Sequence, residues 1–158
     1  MTLSVGDKAP NFNSKLEDGN PFKMEDVVGE SNIVLYFYPK DNSYGCTREA
    51  CKFRDEFDEF KNLNATIIGV NRGTADSHKK FIEDRKLPFH ILVDEDSSIY
   101  KLYNVKSGII GERVTYVIDR EGTIRHVFNS QAKYNQHPEE ARKALEIIEG
   151  KSGPKPTS

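Results

Sequence analysis

A chain of 158 residues suits one compact domain, and folding at that size buries about 70% of the unfolded surface, enough for a core. Hydrophobic residues make up 36% and charged residues 30%, but nine Phe and seven Tyr supply large apolar area, which argues against disorder along the whole length. Lys and Arg number 23 against 25 Asp and Glu, a formal net charge of −2 with the signs interspersed, so no basic excess marks a nucleic-acid partner.

Residues 1–30 are rich in Gly, Pro, Asn and Asp and read as loops and short strands leading into the core. Ser31 to Tyr38 is a dense β-branched and aromatic run closed by Pro39, the pattern of a buried central strand. Ala50, Phe53, Phe57 and Phe60 recur at helical spacing and predict one amphipathic helix over about Tyr44 to Asn62. Ala65 to Val70 reads as a second buried strand. Thr74 to Lys86 reads as a polar helix stopped before Pro88, Phe89 to Val93 as a short strand and Ser97 to Tyr103 as a short helix. Arg113 to Ile118 and Thr123 to Phe128 alternate around Arg120-Glu121-Gly122 and predict a β-hairpin. Pro138 to Glu149 is the last expected helix, with Ala141, Ala144, Leu145 and Ile148 inward, and 151–158 read as a frayed tail. Alternation followed by an antiparallel pair predicts a mixed sheet flanked by helices. That is an α/β, thioredoxin-like fold with an N-terminal extension, forming a single domain over residues 1–150.

The N-terminus shows neither a basic n-region nor an apolar h-region, and the longest strongly apolar run, Ile33 to Tyr38, falls far short of a membrane span. A cytoplasmic protein with no membrane association is the expectation. In a reducing compartment two cysteines point to catalysis or metal binding rather than to a permanent staple.

Cys46 falls just after the central strand, and with Ser43 as N-cap it takes the third helical position. Free backbone amides and the positive helix end there favour the thiolate, which is the nucleophilic form. Cys51 follows on the same helix. Five residues of helix rise roughly 7.5 Å and turn about 140°, which separates the Cα atoms by more than the about 7 Å that a disulfide tolerates. A bond between the two therefore requires the first turns to unwind. Cys46 shares the inward face with Ala50, Phe53 and Phe57, whereas Cys51 lies off it and is expected to be more exposed.

Other readings of the pair stand beside this one. Both cysteines can be small buried hydrophobes. A zinc site needs two more ligands, and His78, His90, His126 and His137 are scattered and read as surface residues. A thioredoxin-type redox motif needs two intervening residues, not four.

The segment Tyr38-Pro39-Lys40-Asp41-Asn42-Ser43-Tyr44-Gly45-Cys46-Thr47 resembles the reactive loop of the peroxiredoxins. With Glu49-Ala50-Cys51 and Phe53-Arg54-Asp55 it is similar to the bacterioferritin comigratory protein group, also called peroxiredoxin Q. The similarity runs from Gly6-Asp7-Lys8-Ala9-Pro10 to Arg113-Val114-Thr115-Tyr116 and beyond, about residues 4 to 149. It implies a thiol peroxidase that reduces hydrogen peroxide and organic hydroperoxides in antioxidant defence. Cys46 would be the peroxidatic residue and Cys51 the resolving one. Pro39 would shield the thiolate, Ser43 would hydrogen-bond thiolate or peroxide, Arg113 would reach the pocket and Glu49 would orient it. No cofactor and no metal is implied. The implied partners are the peroxide and a thioredoxin-like reductant. An internal resolving thiol requires no second subunit, so a monomer is expected, with weak dimerisation allowed.

The chain departs from the group at two positions of this loop. Ser43 stands where Thr is usual and loses the methyl that stiffens a β-branched rotamer. Tyr44 stands where proline is common, which frees the loop and removes a fixed φ. Without the resemblance, Arg113 reads as a strand-end surface ion pair, Glu49 as one charge on a solvated helix face and Pro39 as a strand terminator.

Overall fold

The computed structural model describes residues 1–108 and 111–150; the expected tail at 151–158 lies outside the described residues. A small antiparallel pair, β1 (Asn13–Lys15) and β2 (Pro21–Lys23), precedes a single helical turn, α1 (Met24–Val27). The central strand β3 (Asn32–Phe37) leads into α2 (Tyr44–Asp55) and α3 (Phe57–Asn62). Then come β4 (Ala65–Asn71), α4 (Ala75–Arg85), β5 (His90–Val93), α5 (Ser98–Leu102), β6 (Val114–Ile118), β7 (Ile124–Asn129) and α6 (Gln136–Ile148).

Five strands form one mixed sheet in the order β5-β4-β3-β6-β7. β4 runs parallel to β3 and to β5, and β6 runs antiparallel to β3 and to β7. Every residue of β3 is fully buried, as its unbroken apolar run requires of a strand covered on both faces. Side chains alternate across the pleat. Val34, Tyr36 and Tyr38 join the core formed with α2, α3, α4 and α6, while Ile33, Leu35 and Phe37 join the one under α5 and the N-terminal segment.

The predicted hairpin closes at Gly122, whose φ of 81° places it in the left-handed region, and Asp119 Oδ1 accepts from the amides of Glu121 and Thr123. Thr74 caps α4 by accepting from the Ser77 amide. The long helix expected over Tyr44 to Asn62 breaks in two at Glu56 (φ −105°, ψ 15°), which lets α3 follow the sheet and bury Phe60. No Pro or Gly marks that break, so nothing local announced it. The turn at α1 was also not anticipated. None of the helices among the described residues is long and apolar enough to cross a membrane.

The topology brings distant residues to one end of β3. Because β6 runs antiparallel, Val114 pairs with Phe37, and the residue before it, Arg113, lands beside the loop that leaves the C-terminal end of β3. The same hairpin returns the chain to α6, whose first turn closes the site from below.

Candidate active site

Cys46 occupies the third position of α2 and is 1% exposed. It sits on the inward face with Ala50 and Phe53, both fully buried, and Phe53 stacks on Tyr36 at 4.7 Å between ring centroids. The Cys46 backbone is thereby fixed by core packing on one side and by the open end of the helix on the other, where main-chain amides have no helical partner. Cys51 lies farther along α2, half-buried, and lines a groove of about 560 Å³ with Thr47, Arg48, Lys52, Asp55, Glu56 and Asn135. Both cysteines are free thiols, as an intact helix across their spacing demands.

Arg113 is buried, not a surface ion-pairing residue. Its Nη1 donates to Cys46 Sγ at 3.3 Å and to Glu49 Oε1 at 2.7 Å, and its Nε donates to the Gln131 carbonyl at 3.2 Å. Its guanidinium also lies over the Tyr134 ring, 5.8 Å from the centroid. Glu49 is fully buried, not on a solvated face. Burial pushes its carboxyl up to about 8 even with the Arg113 guanidinium pulling it down.

Two site residues expected from the sequence turn elsewhere. Ser43 takes the N-cap position with extended backbone, but its hydroxyl caps nothing; it donates to the Lys40 carbonyl at 2.9 Å. The short turn it closes satisfies the hydroxyl before it can reach the sulfur. Pro39 is exposed and lines a small cavity of about 110 Å³ with Arg72, Tyr100, Lys106 and Glu112.

Five residues of the site were missed or misjudged from sequence: His78, His137, Asp41, Asn71 and Tyr134. His78 and His137 are fully buried, against the expectation that all four histidines lie at the surface. His78 Nδ1 meets Asp41 Oδ2 at 2.6 Å. Asp41 also accepts from Ser77 Oγ at 2.7 Å and from the Tyr38 hydroxyl at 2.5 Å. Burial alone would raise the Asp41 carboxyl; the hydrogen bonds from His78, Tyr38 and Ser77 outweigh it and hold it below the ordinary carboxylate range. Asn71 donates to the Tyr38 carbonyl at 2.7 Å, so the loop between β3 and α2 is pinned at its start to β4, and Asp41 ties it to α4. His137 Nε2 donates to the Ser130 carbonyl at 2.8 Å, and Thr115 Oγ1 lies 2.8 Å from Nδ1. Burial pushes this ring down to about 4, reinforced by the Arg113 charge and opposed by the Ser130 bond. At neutral pH His137 is therefore uncharged and forms no ion pair with Glu49, 3.6 Å away. Tyr134 packs against Gly45, where a Cβ would stand 3.0 Å from its ring and 3.1 Å from Arg113. Isolated polar residues outside a periodic pattern give no sequence signal of burial, and that is what hid this set.

Among the described residues, the ligand atoms of Glu17, Asp18 and His90 lie within 4.8 Å of one another. Neither cysteine belongs to that group, and Glu17 already accepts from His90 and the Ile91 amide. The zinc reading of the cysteine pair finds no ligand set here.

A mixed sheet that presents a buried free thiol in the first turn of a helix, under a buried arginine, defines the class: a thiol peroxidase built on a thioredoxin-like frame. The AhpC/TSA family matches residues 5–127, and the chain belongs to it. Peroxiredoxin Bcp of Bacillus subtilis (strain 168) is 38% identical over 159 residues, covering 96% of this chain and 100% of the relative. The chloroplastic peroxiredoxin Q of Oryza sativa subsp. japonica is 37% identical over 149 residues, covering 92% and 68%. The crystal structure of peroxidoxin BcpB from Mycobacterium tuberculosis superposes with a TM-score of 0.87 at 28% identity, covering 92% of this chain and 98% of that one. The enzyme is accordingly a thiol-dependent peroxidase of the peroxiredoxin type, in the peroxiredoxin Q and Bcp group.

Proposed function

We propose that Cys46 attacks the peroxide and that Cys51 resolves the product. The Cys46 thiolate attacks one peroxide oxygen in line, the S–O bond forms as the O–O bond breaks, and the other oxygen leaves as hydroxide or alkoxide and is protonated. The sulfur becomes a sulfenic acid. Cys51 condenses with it, forming the S–S bond and releasing water. An external dithiol, provided by a thioredoxin-like protein, then reduces the disulfide by exchange.

One observation carries this reading: a single guanidinium nitrogen at 3.3 Å from a buried sulfur placed at a helix N-terminus. A fixed cation there stabilises the thiolate and the charge that develops on the leaving oxygen. Glu49 holds that guanidinium. Ser43 contributes once its hydroxyl leaves Lys40, and Pro39 keeps water from the loop side. Both hydrogen peroxide and organic hydroperoxides reach the sulfur. Residues 1–150 act as one domain and as a monomer, because the second sulfur is internal. The cytoplasm supplies the reducing dithiol pool that such a cycle needs.

Peroxide consumption by Cys46→Ser and Cys51→Ser tests the assignment. Cys46→Ser is inactive. Cys51→Ser completes one turnover, leaves Cys46 as a sulfenic acid detectable by mass spectrometry and does not recycle with thioredoxin. An unmodified Cys46 after one equivalent of peroxide would overturn the scheme.

A further inference from the structure

One cation serves two acidic groups in the interior of this site. Arg113 Nη1 is 3.3 Å from Cys46 Sγ and 2.7 Å from Glu49 Oε1. Both are buried: Cys46 is 1% exposed and the Glu49 side chain 0%. Two anions facing one cation leave a net charge buried, and a buried unbalanced charge is far costlier than the neutral combination.

Among the described residues, no second cation faces Glu49 from the elements packed against it. On α6, His137 is neutral, with Nε2–H on the Ser130 carbonyl and Nδ1 accepting from Thr115 of β6. On β3, the buried Tyr36 hydroxyl has no partner among the described residues, and its own ionisation is suppressed by burial and by Glu49 and Cys46. Asp41, on the loop, is bound by His78, Ser77 and Tyr38.

The second oxygen of Glu49 points the same way. Oε2 is buried with no hydrogen-bond partner among the described residues, and it stands 3.6 Å from the lone-pair side of His137. A carboxylate oxygen left bare in that place carries its full desolvation cost. An uncharged carboxylic acid there carries a smaller one.

We propose that Cys46 and Glu49 share one negative charge, so that Glu49 holds the proton that Cys46 gives up. The thiol and carboxylate become thiolate and carboxylic acid; one proton moves and no electrons do. This rests on the assignment of Cys46 as the residue that attacks peroxide. Neutral Glu49 still accepts the Arg113 hydrogen bond through Oε1, and it leaves the positive charge to the sulfur and the leaving oxygen. Ionised Glu49 competes for that charge and weakens both. The upward displacement of the Glu49 carboxyl to about 8 agrees.

The test is the second-order rate of Cys46 oxidation by hydrogen peroxide, followed from about pH 6 to about pH 10 in the reduced full-length enzyme. The wild type loses rate on the alkaline side, by about tenfold, as the thiolate's charge-assisted donor is diverted. Glu49→Gln, which cannot ionise, lacks that alkaline limb whatever its absolute rate. Wild type alone gives a second measurement. The infrared spectrum of the reduced enzyme at neutral pH carries a protonated-carboxyl band that disappears on oxidation to the disulfide, when the sulfur no longer needs the cation. An alkaline limb of equal size in both proteins, or reduced wild type without a carboxylic-acid band, overturns the proposal. Peroxide consumption by Cys46→Ser separately tests the assignment on which it rests.

Discussion

Replacing Arg113 by Met measures what the buried cation does for the sulfur. The guanidinium contributes one charge-assisted hydrogen bond to Sγ at 3.3 Å and one to Glu49 at 2.7 Å. A hydrogen bond to a charged group is worth about 1.5–3 kcal/mol, so its loss from thiolate and transition state lowers the second-order rate about 10- to 150-fold. Folding suffers less. Met fills comparable space, and Glu49, whose carboxyl already stands near 8, remains neutral without its partner. The lost bonds to the Gln131 carbonyl and to Glu49 Oε1 cost about 1 kcal/mol each, or roughly 4–8 °C in Tm together. Stopped-flow peroxide consumption gives the first number and thermal unfolding the second. Alkylation of Cys46 by iodoacetamide, which senses the thiolate but not a leaving oxygen, separates the two parts of the rate loss. A folded Arg113→Met enzyme whose rate stays within about twofold of wild type would refute the electrostatic role and return Arg113 to a packing residue.

Three further outcomes are expected. Tyr44→Pro is compatible with the fold, because Ser43 already has the φ of −74° and ψ of 161° that a residue before proline adopts and Tyr44 is the first helical position. It stabilises the closed helix by about 0.4–1 kcal/mol and slows disulfide formation about two- to fivefold in rapid-quench mass spectrometry; faster closure would contradict the unwinding requirement. Asp41→Asn removes a carboxylate that binds His78, Ser77 and Tyr38. Its folded-state pKa is depressed, so its contribution is present above the ordinary carboxylate range near about pH 4 and is lost as pH falls through the lower folded value. The variant is less stable by about 2 kcal/mol at neutral pH, and urea titrations show the gap closing in acid; a gap independent of pH would exclude this origin. Phe53→Ala opens a cavity beneath the nucleophile's helix, between Tyr36 and Phe60, and costs about 3–5 kcal/mol by chemical denaturation; a loss below about 1 kcal/mol would show that the aromatic cluster collapses around the gap.

Within the site, legibility followed periodicity. Cys46, Ala50 and Phe53 lie on one helical face, so the inward thiol was readable from spacing, as was the outward position of Cys51. Arg113 and Glu49 stand far apart in sequence, and the resemblance alone suggested that they meet. Their contact depends on the antiparallel register that sets Val114 beside Phe37. His137 and Asp41 carried no pattern at all. Their burial follows from hydrogen bonds to Ser130, Thr115, Tyr38, Ser77 and His78, partners scattered across four segments.

The amino-acid order by itself determined most of the elements, the mixed sheet and the position of Cys46 at a helix start, since each rests on local propensity and on apolar periods of two or 3.6. Only the tertiary structure decided which charges share the interior with that sulfur. Desolvation and pairing depend on what lies within a few ångströms in space, and side chains from β3, α2, β6 and α6 converge there through a sheet register that no single segment encodes.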